Sequence, residues 1–92
     1  MARATIGERV GAISHTADNK VYFFGFGVYE GDQPGGPMGD WPNPKIKLDD
    51  GGIVWGCECW WGPEGRIREY IGVREVVIQP LPERATAGEI DG

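Results

Sequence analysis

Three of the four tryptophans and both cysteines of this 92-residue chain lie within ten residues, from Ile53 to Gly62. Because side chains alternate sides along a strand, a strand here would have two unlike faces. The face predicted to point into the core holds Trp55, Cys57, Cys59 and Trp61. The other face, which is either a recognition surface or a covered second layer, holds Val54, Gly56, Glu58 and Trp60.

The composition favours strands over helices. Glycine supplies 16 of the 92 residues, more than twice its usual share of about 7%, and it destabilises helix interiors. Leucine occurs only at Leu48 and Leu81, so the ten aromatic residues must supply much of the core. We therefore predict a small all-β protein.

The clearest hairpin signal surrounds the sequence Asp49-Asp50-Gly51-Gly52. Polar and apolar residues alternate before it, in Lys45–Leu48, and after it, in Ile53–Trp55, which is typical of two strands joined by a turn. The predicted register places Ile46 opposite Trp55 on the inner face. The outer face would then carry Lys45, Lys47, Glu58 and Trp60.

Turn residues divide the rest of the chain into further short strands. The predicted segments are a strand over Ile6–Ile13, a connector turning at Asp18-Asn19, a strand over Val21–Gly31, a Gly/Pro-rich loop over Gly31–Pro44 and a β-rich run over Arg66–Gln79. Such a pattern predicts one domain over residues 6–79, a five-stranded, SH3-like, partly open barrel. Residues 80–92 are predicted to be a disordered tail.

The chain contains two short sequence motifs, GVYEGD at Gly27 to Asp32 and WGCECWWGPE at Trp55 to Glu64. With them the stretch from Ile6 to Ile71, about two-thirds of the chain, resembles a group of small uncharacterised bacterial and phage proteins. The resemblance implies a bacterial or viral source, and it implies no particular activity.

Charge and hydropathy exclude some classes of partner. The formal charge of −5 and a pI near 4.7 repel polyanions, so duplex nucleic acid is not an expected partner. No charged segment leads into an apolar one at the start, and no apolar run reaches 18 residues, so we expect neither a signal peptide nor a membrane span. The expected location is the cytoplasm of a bacterial cell, or of the host cell if a phage encodes the protein.

The Cys57-x-Cys59 pair can be interpreted as two buried structural thiols or as part of a zinc or catalytic site. A structural zinc site needs four ligands, and His15 is the only other residue of the Cys/His type. The same His15 would be the base if either cysteine were a nucleophile, but it lies far away in sequence. We predict two buried thiols, no metal and no cofactor.

A paired-carboxylate hydrolase would combine Glu58 with Asp49 or Asp50. Acidic residues beside a tight turn are better explained as turn formers. The glycine-rich stretches also lack the spacing of phosphate-binding loops. We therefore expect a protein that is not an enzyme.

Aromatic residues near cations form the best candidate site. Trp60, Trp41 and Tyr29 could line one concavity next to Glu58, with Lys45, Lys47, Arg66 and Arg68 near its edge. Aromatic planes can stack a base, and Arg or Lys can neutralise a phosphate. The competing interpretation is that Trp60 and Trp41 pack on each other and close the open side of the barrel.

Two functions from different classes follow from this site. The first is non-catalytic binding of a small anionic molecule, with sequestration of a nucleotide-like signal as one form of it. The second is a protein-interaction module that binds a partner protein or a proline-rich peptide through exposed aromatics. Homo-oligomerisation through an open sheet edge is compatible with both.

Overall fold

The computed structural model describes residues 4–82, which form a six-stranded sheet and one short helix. The elements are β1 Arg9–Ala17, β2 Lys20–Gln33, β3 Asn43–Leu48, β4 Ile53–Trp55, a 3₁₀ turn Gly56–Glu58, β5 Trp60–Pro63, α1 Glu64–Ile71 and β6 Glu75–Ile78. The sheet order is β4-β3-β2-β1-β5, and β6 pairs in parallel with the first part of β2. The all-β prediction is confirmed, with six strands where five were predicted and a sheet that is not closed.

A two-residue turn joins β1 to β2 at the predicted position. Asp18 and Asn19 both have positive φ angles, 52° and 63°, and Ala17 pairs with Lys20 across the turn. Such mirror-image turns suit the twist of a hairpin and favour Asp and Asn. The first strand therefore continues to Ala17, whereas the sequence predicted a polar connector from Ser14.

A bulge in β2 exchanges the two faces of this strand. Ala12 of β1 pairs with Gly25 and Ile13 pairs with Phe23, so Phe24 is the extra residue, and Gly25 has a φ of 140°. Before the bulge, Phe23 faces the helix side of the sheet; after it, Tyr29 faces the other side. The sequence of this strand predicts one unbroken alternation, with Val21, Phe23 and Tyr29 on the same face, and this prediction is wrong because of the bulge.

The buried side chains form two clusters, one on each face of the sheet. The first core consists of Val10, Ala12, Phe24, Tyr29, Ile46, Leu48 and Val54. The second core, under α1, consists of Ile13, Val21, Phe23 and Ile67. β2 contributes to both cores, as its mostly apolar faces predict.

Gly27 lets β3 approach β2 closely. A Cβ atom at Gly27 would lie 2.7 Å from the Cα of Leu48, closer than side chains tolerate. Two glycines on one face of the strand, Gly25 and Gly27, predict from the sequence a groove filled by a large side chain such as Trp55 or Trp61. The space is filled by the neighbouring strand, because glycine permits a close approach of the backbone itself.

The turn between β3 and β4 lies where it was predicted, but the register is shifted by one residue. Gly51 has a φ of 96°, and the N–H of Leu48 donates to the carbonyl of Gly52 at 2.8 Å, so the loop has three residues instead of four. Ile46 therefore pairs with Val54. Because a one-residue shift turns every side chain to the other face, Val54 is buried and Trp55 is not in the core.

The segment after β4 is not one continuous strand. Gly56–Glu58 form a 3₁₀ turn, which interrupts the predicted alternation of the cysteines and tryptophans. Glu64–Ile71 then form α1, where the sequence predicted a strand from Arg66. Arg68 Nη2 lies 2.7 Å from Glu64 Oε2 one turn earlier, and Gly72, with a φ of 53°, ends the helix.

Leu81, in the segment predicted to be a tail, packs against the first core. Residues 83–92 of the predicted tail lie outside the described residues. Within residues 4–82, no helix has the length and hydropathy needed to cross a lipid bilayer.

Candidate ligand-binding cleft

A cleft of about 710 Å³ lies between β5 and α1. Its lining consists of β5 from Trp60 to Pro63 together with Arg66, Ile67 and Tyr70 of the helix. Its volume is within the range of about 300 to 1,000 Å³ that is usual for small-molecule sites.

Consecutive tryptophans of β5 lie on opposite faces of the sheet. Trp61 stacks on Tyr29, with ring centroids 5.2 Å apart, and packs against the first core. Trp60 remains 55% exposed, and its ring meets Tyr70 edge to face at a centroid distance of 4.7 Å. The cleft therefore has one exposed indole, that of Trp60, and contact with Tyr70 of the helix orients it.

The helix places Arg66 and Tyr70 on the cleft side because residues four apart share a helix face. α1 can lie close to β1 because position 11 is glycine. A Cβ atom at Gly11 would lie 2.9 Å from Ile67 Cγ2 and 3.0 Å from the ring of Phe26. Ile67 is buried between the helix and the sheet and holds the helix in place. The backbone positions from which Arg66 and Tyr70 extend are therefore well defined.

The charge of the cleft comes from Arg66. Of the described residues that line the cleft, Arg66 is the one that is charged. Glu64, one turn before Arg68, is already paired. Arg68 and Arg9 both donate hydrogen bonds to its carboxylate and lower its pKa, and the contribution of Arg68 is the larger. Tyr70 also lies near a cation, since the guanidinium carbon of Arg74 is 5.0 Å from its ring centroid.

The other predicted site residues lie elsewhere. Tyr29 is buried, and its hydroxyl donates to Asp32 at 2.5 Å, so the prediction that it lines a surface site is wrong. Trp41 is 73% exposed in the loop between β2 and β3. Trp41 and Trp60 therefore do not form a second core layer.

The predicted cations and the carboxylate are also dispersed. Lys45, whose Nζ is 3.8 Å from Glu30, and Lys47 lie on β3, which β2 and β1 separate from β5. Three strand spacings amount to about 14 Å. Glu58 ends the 3₁₀ turn and accepts the Trp55 N–H at 3.0 Å. Arg68 lies on the other side of the helix, 4.4 Å from the centroid of Phe26.

Of the eight predicted residues, the structure thus brings together Trp60 and Arg66. The sequence reasoning missed Tyr70 and Ile67 because it read their segment as a strand. The spacing of Ile67, Tyr70 and Ile71 is the i, i+3, i+4 pattern of a helix face, and it could have identified them.

The two cysteines have different environments, although both are free thiols. Cys57 is exposed, so the prediction that both thiols are buried is wrong for it. Asn43, which is buried, donates through Nδ2 to Cys57 Sγ at 2.8 Å and accepts the Cys57 N–H through Oδ1 at 3.2 Å. Burial raises the pKa of the Cys59 thiol to about 12, with smaller contributions from Glu58 and Cys57.

Among residues 4–82, no group of three or more His, Cys, Asp or Glu side chains is arranged to hold a metal ion. Comparison with protein-family models, with curated proteins and with solved structures finds no match for this chain.

Proposed function

We propose that the protein binds a small planar anionic molecule in the cleft between β5 and α1, without catalysing a reaction on it. The observation that supports this most directly is the exposed ring of Trp60, held over the same cleft as Arg66 and Tyr70. Large aromatic side chains are costly to leave in water, and a ligand ring would cover the indole.

The chemistry of the lining indicates what such a ligand would contact. A planar ring stacked on Trp60 would gain on the order of 1 to 3 kcal/mol, the value measured for bases on aromatic side chains. Arg66 would pair with an anionic group through its guanidinium. Tyr70 would bound the ring on the helix side, at close to a right angle to Trp60, where the interplanar angle is 86°.

Arg66, the one charged side chain among the described residues that line the cleft, limits the charge of the ligand. Arg66 can offset about one negative charge, and the protein as a whole carries −5. Repulsion would grow with each further phosphate on the ligand. Within the nucleotide-like class predicted from the sequence, we therefore favour a ligand with one phosphate over one with three.

Binding can be tested by quenching of tryptophan fluorescence and by calorimetry, with AMP, ATP and adenosine as probes. AMP should bind more tightly than ATP or adenosine. Trp60→Ala should abolish AMP binding while the melting temperature stays within a few degrees, and Arg66→Gln should weaken it about tenfold or more and flatten its salt dependence.

Matched controls come from residues of the same type outside the cleft. Trp41→Ala and Arg68→Gln should leave AMP binding unchanged, because Trp41 lies in a distant loop and Arg68 on the other side of the helix. Native mass spectrometry of the protein purified from cells would identify a retained ligand of another kind. If no planar anion binds, or if all four variants bind alike, the proposal is wrong.

A second function is supported by the loop between β2 and β3. Met38 and Trp41 are 52% and 73% exposed there, and tryptophan and methionine are enriched at protein–protein interfaces. We infer a protein-interaction module as the alternative, with a proline-rich peptide as the first probe. Trp41→Ala should abolish peptide binding and Trp60→Ala should not, which separates this function from the cleft.

For both functions we propose the cytoplasm as the setting. An exposed thiol such as Cys57 survives in a reducing compartment, whereas an oxidising one would modify it.

A further inference from the structure

β6 is an edge strand with an apolar surface. In the described part of the chain it pairs with β2 alone. Val76 and Ile78 are 41% and 70% exposed, and they border a cavity of about 350 Å³ whose floor is Phe23, Phe26 and Ile71. A parallel strand left uncovered at an edge is unusual, because parallel pairs are normally buried.

The backbone of β6 has a defined free side. The N–H of Gln79 donates to the carbonyl of Phe23 at 2.8 Å, so Gln79 faces β2. Since alternate residues of a strand direct their N–H and C=O groups to the same side, Val77 also faces β2, and Val76 and Ile78 face away from it. Their backbone groups form a template on which another strand can pair.

We propose that β6 pairs antiparallel with β6 of a second copy of this chain, so that Val76 lies opposite Ile78 of the partner subunit. The two-fold axis then passes beside Val77, and one sheet continues through both subunits. The partner subunit's Ile78 covers Val76 on the cavity side, because paired residues share a face.

Hydrogen bonding selects this register over its neighbours. A shift in one direction would place Val76 opposite Pro80 of the partner subunit, which has no N–H to donate. A shift in the other would place Ile78 opposite Arg74, whose N–H is already bonded to the carbonyl of Ile71 at 2.9 Å. The proposed register requires neither an N–H from Pro80 nor the N–H of Arg74.

The side chains agree with this register. Glu75 lies opposite Gln79 of the partner subunit, so no carboxylate faces another carboxylate across the pair. The chain itself leaves the edge after Gln79: Leu81 packs beside Gly52, where an added Cβ would be 2.7 Å from its Cδ1, and against the first core. Residues 79–82 therefore do not pair with this edge, and within residues 4–82 its outer side is available to a second copy.

Sedimentation velocity of the full chain, from about 1 µM to about 1 mM, tests the proposal. A four-residue strand pair is a small interface, so a monomer of 10.1 kDa should convert to a dimer within that range. Ile78→Lys should remain monomeric throughout, because a lysine on an edge strand opposes pairing. Val73→Lys is the matched control: it also adds a charge at an exposed valine, but outside β6, and it should dimerise like the parent.

A cross-link tests the register. In a Cys57→Ser background, Val77→Cys should form an intersubunit disulfide on mild oxidation, because directly opposed residues of a non-hydrogen-bonded pair are within disulfide reach. Val76→Cys should not form this disulfide. In the proposed register, residue 76 lies opposite Ile78 of the partner subunit, two residues away from the partner's own position 76. A parent that stays monomeric, a dimer unaffected by Ile78→Lys, or a cross-link formed equally by both variants would overturn the proposal. Circular dichroism of each variant shows that the loss of pairing is not a loss of folding.

Discussion

Trp61 stacks on Tyr29 at a centroid distance of 5.2 Å, although the preceding residue of the chain, Trp60, lies on the opposite side of the sheet and is exposed. Pairing of β5 with β1 produces this separation, since Ala12 lies opposite Trp61 and Ile13 opposite Trp60. One tryptophan therefore completes the first core, and its neighbour is available to the cleft.

We predict that the two tryptophans differ in their effect on stability. Trp61→Ala should lower the free energy of unfolding by about 2 to 4 kcal/mol, less than for a fully buried tryptophan, because Trp61 is only partly buried. Trp60→Ala should lower it by at most about 1 kcal/mol. Urea denaturation measures both values, and equal losses would contradict the assignment of the two rings to different faces.

A glycine contrast tests the close approach of β3 to β2. Gly27→Ala should destabilise the protein by about 1 to 3 kcal/mol or prevent folding, because its Cβ would collide with the backbone of β3. Gly65→Ala is the matched control: it lies in α1, and no heavy atom lies within 4 Å of an added Cβ. Its stability should be unchanged or higher by up to about 1 kcal/mol, since alanine favours helix. A neutral Gly27→Ala would show that the strands are further apart.

Acidic pH should weaken the contribution of Arg9 to the stability of the folded protein. Its guanidinium donates to Asp49 at 2.6 and 2.8 Å and to Glu64 at 3.2 Å, and it lowers the pKa of Asp49 from 3.8 and, after Arg68, that of Glu64 from 4.5. A lowered pKa in the folded state contributes stability above the ordinary pKa, and that stability is lost as the pH falls through the lowered value.

Arg9→Gln should therefore melt a few degrees lower than the parent at neutral pH, and the difference should shrink as the pH falls through the lowered pKa values of Asp49 and Glu64. The loss is small because the ion pairs are exposed. Thermal denaturation from pH 2 to 7 measures it. A difference that stays constant with pH would mean that Arg9 acts through packing alone.

The two thiols should react at different rates. Cys57 is exposed and should react with Ellman's reagent in the folded protein, giving about one equivalent. Cys59 is partly buried, its Sγ donates to the Trp55 carbonyl at 3.4 Å, and its pKa of about 12 keeps it protonated. It should react only in denaturant, and Cys57→Ser should abolish the fast phase.

Burial of Cys59 also predicts a dependence of stability on alkaline pH. In the unfolded chain this thiol ionises near its ordinary pKa of 9.0, whereas the folded state holds its proton to about 12. The free energy of unfolding should therefore fall as the pH rises from 9 toward 12, and this part of the fall should disappear in Cys59→Ala.

Local sequence determined much of this structure. The positive φ angles that Asp18 and Asn19 accept, and the Asp/Gly turn before Ile53, were sufficient to predict both hairpin turns. Composition was sufficient for the all-β class. The alternation of Trp60 and Trp61 predicted one outward and one inward indole, because a strand directs successive side chains to opposite faces wherever it is regular.

The tertiary structure decided what depends on a single residue of register or on distant partners. The left-handed Gly51 shortened the β3–β4 loop and turned Trp55 out of the core, and the bulge at Gly25 moved Tyr29 into it. The helix carrying Arg66 is stabilised by burial of Ile67 against the sheet, which local propensity does not report. The composition of the cleft follows from that packing, since it places Arg66 and Tyr70 of α1 beside Trp60 of β5.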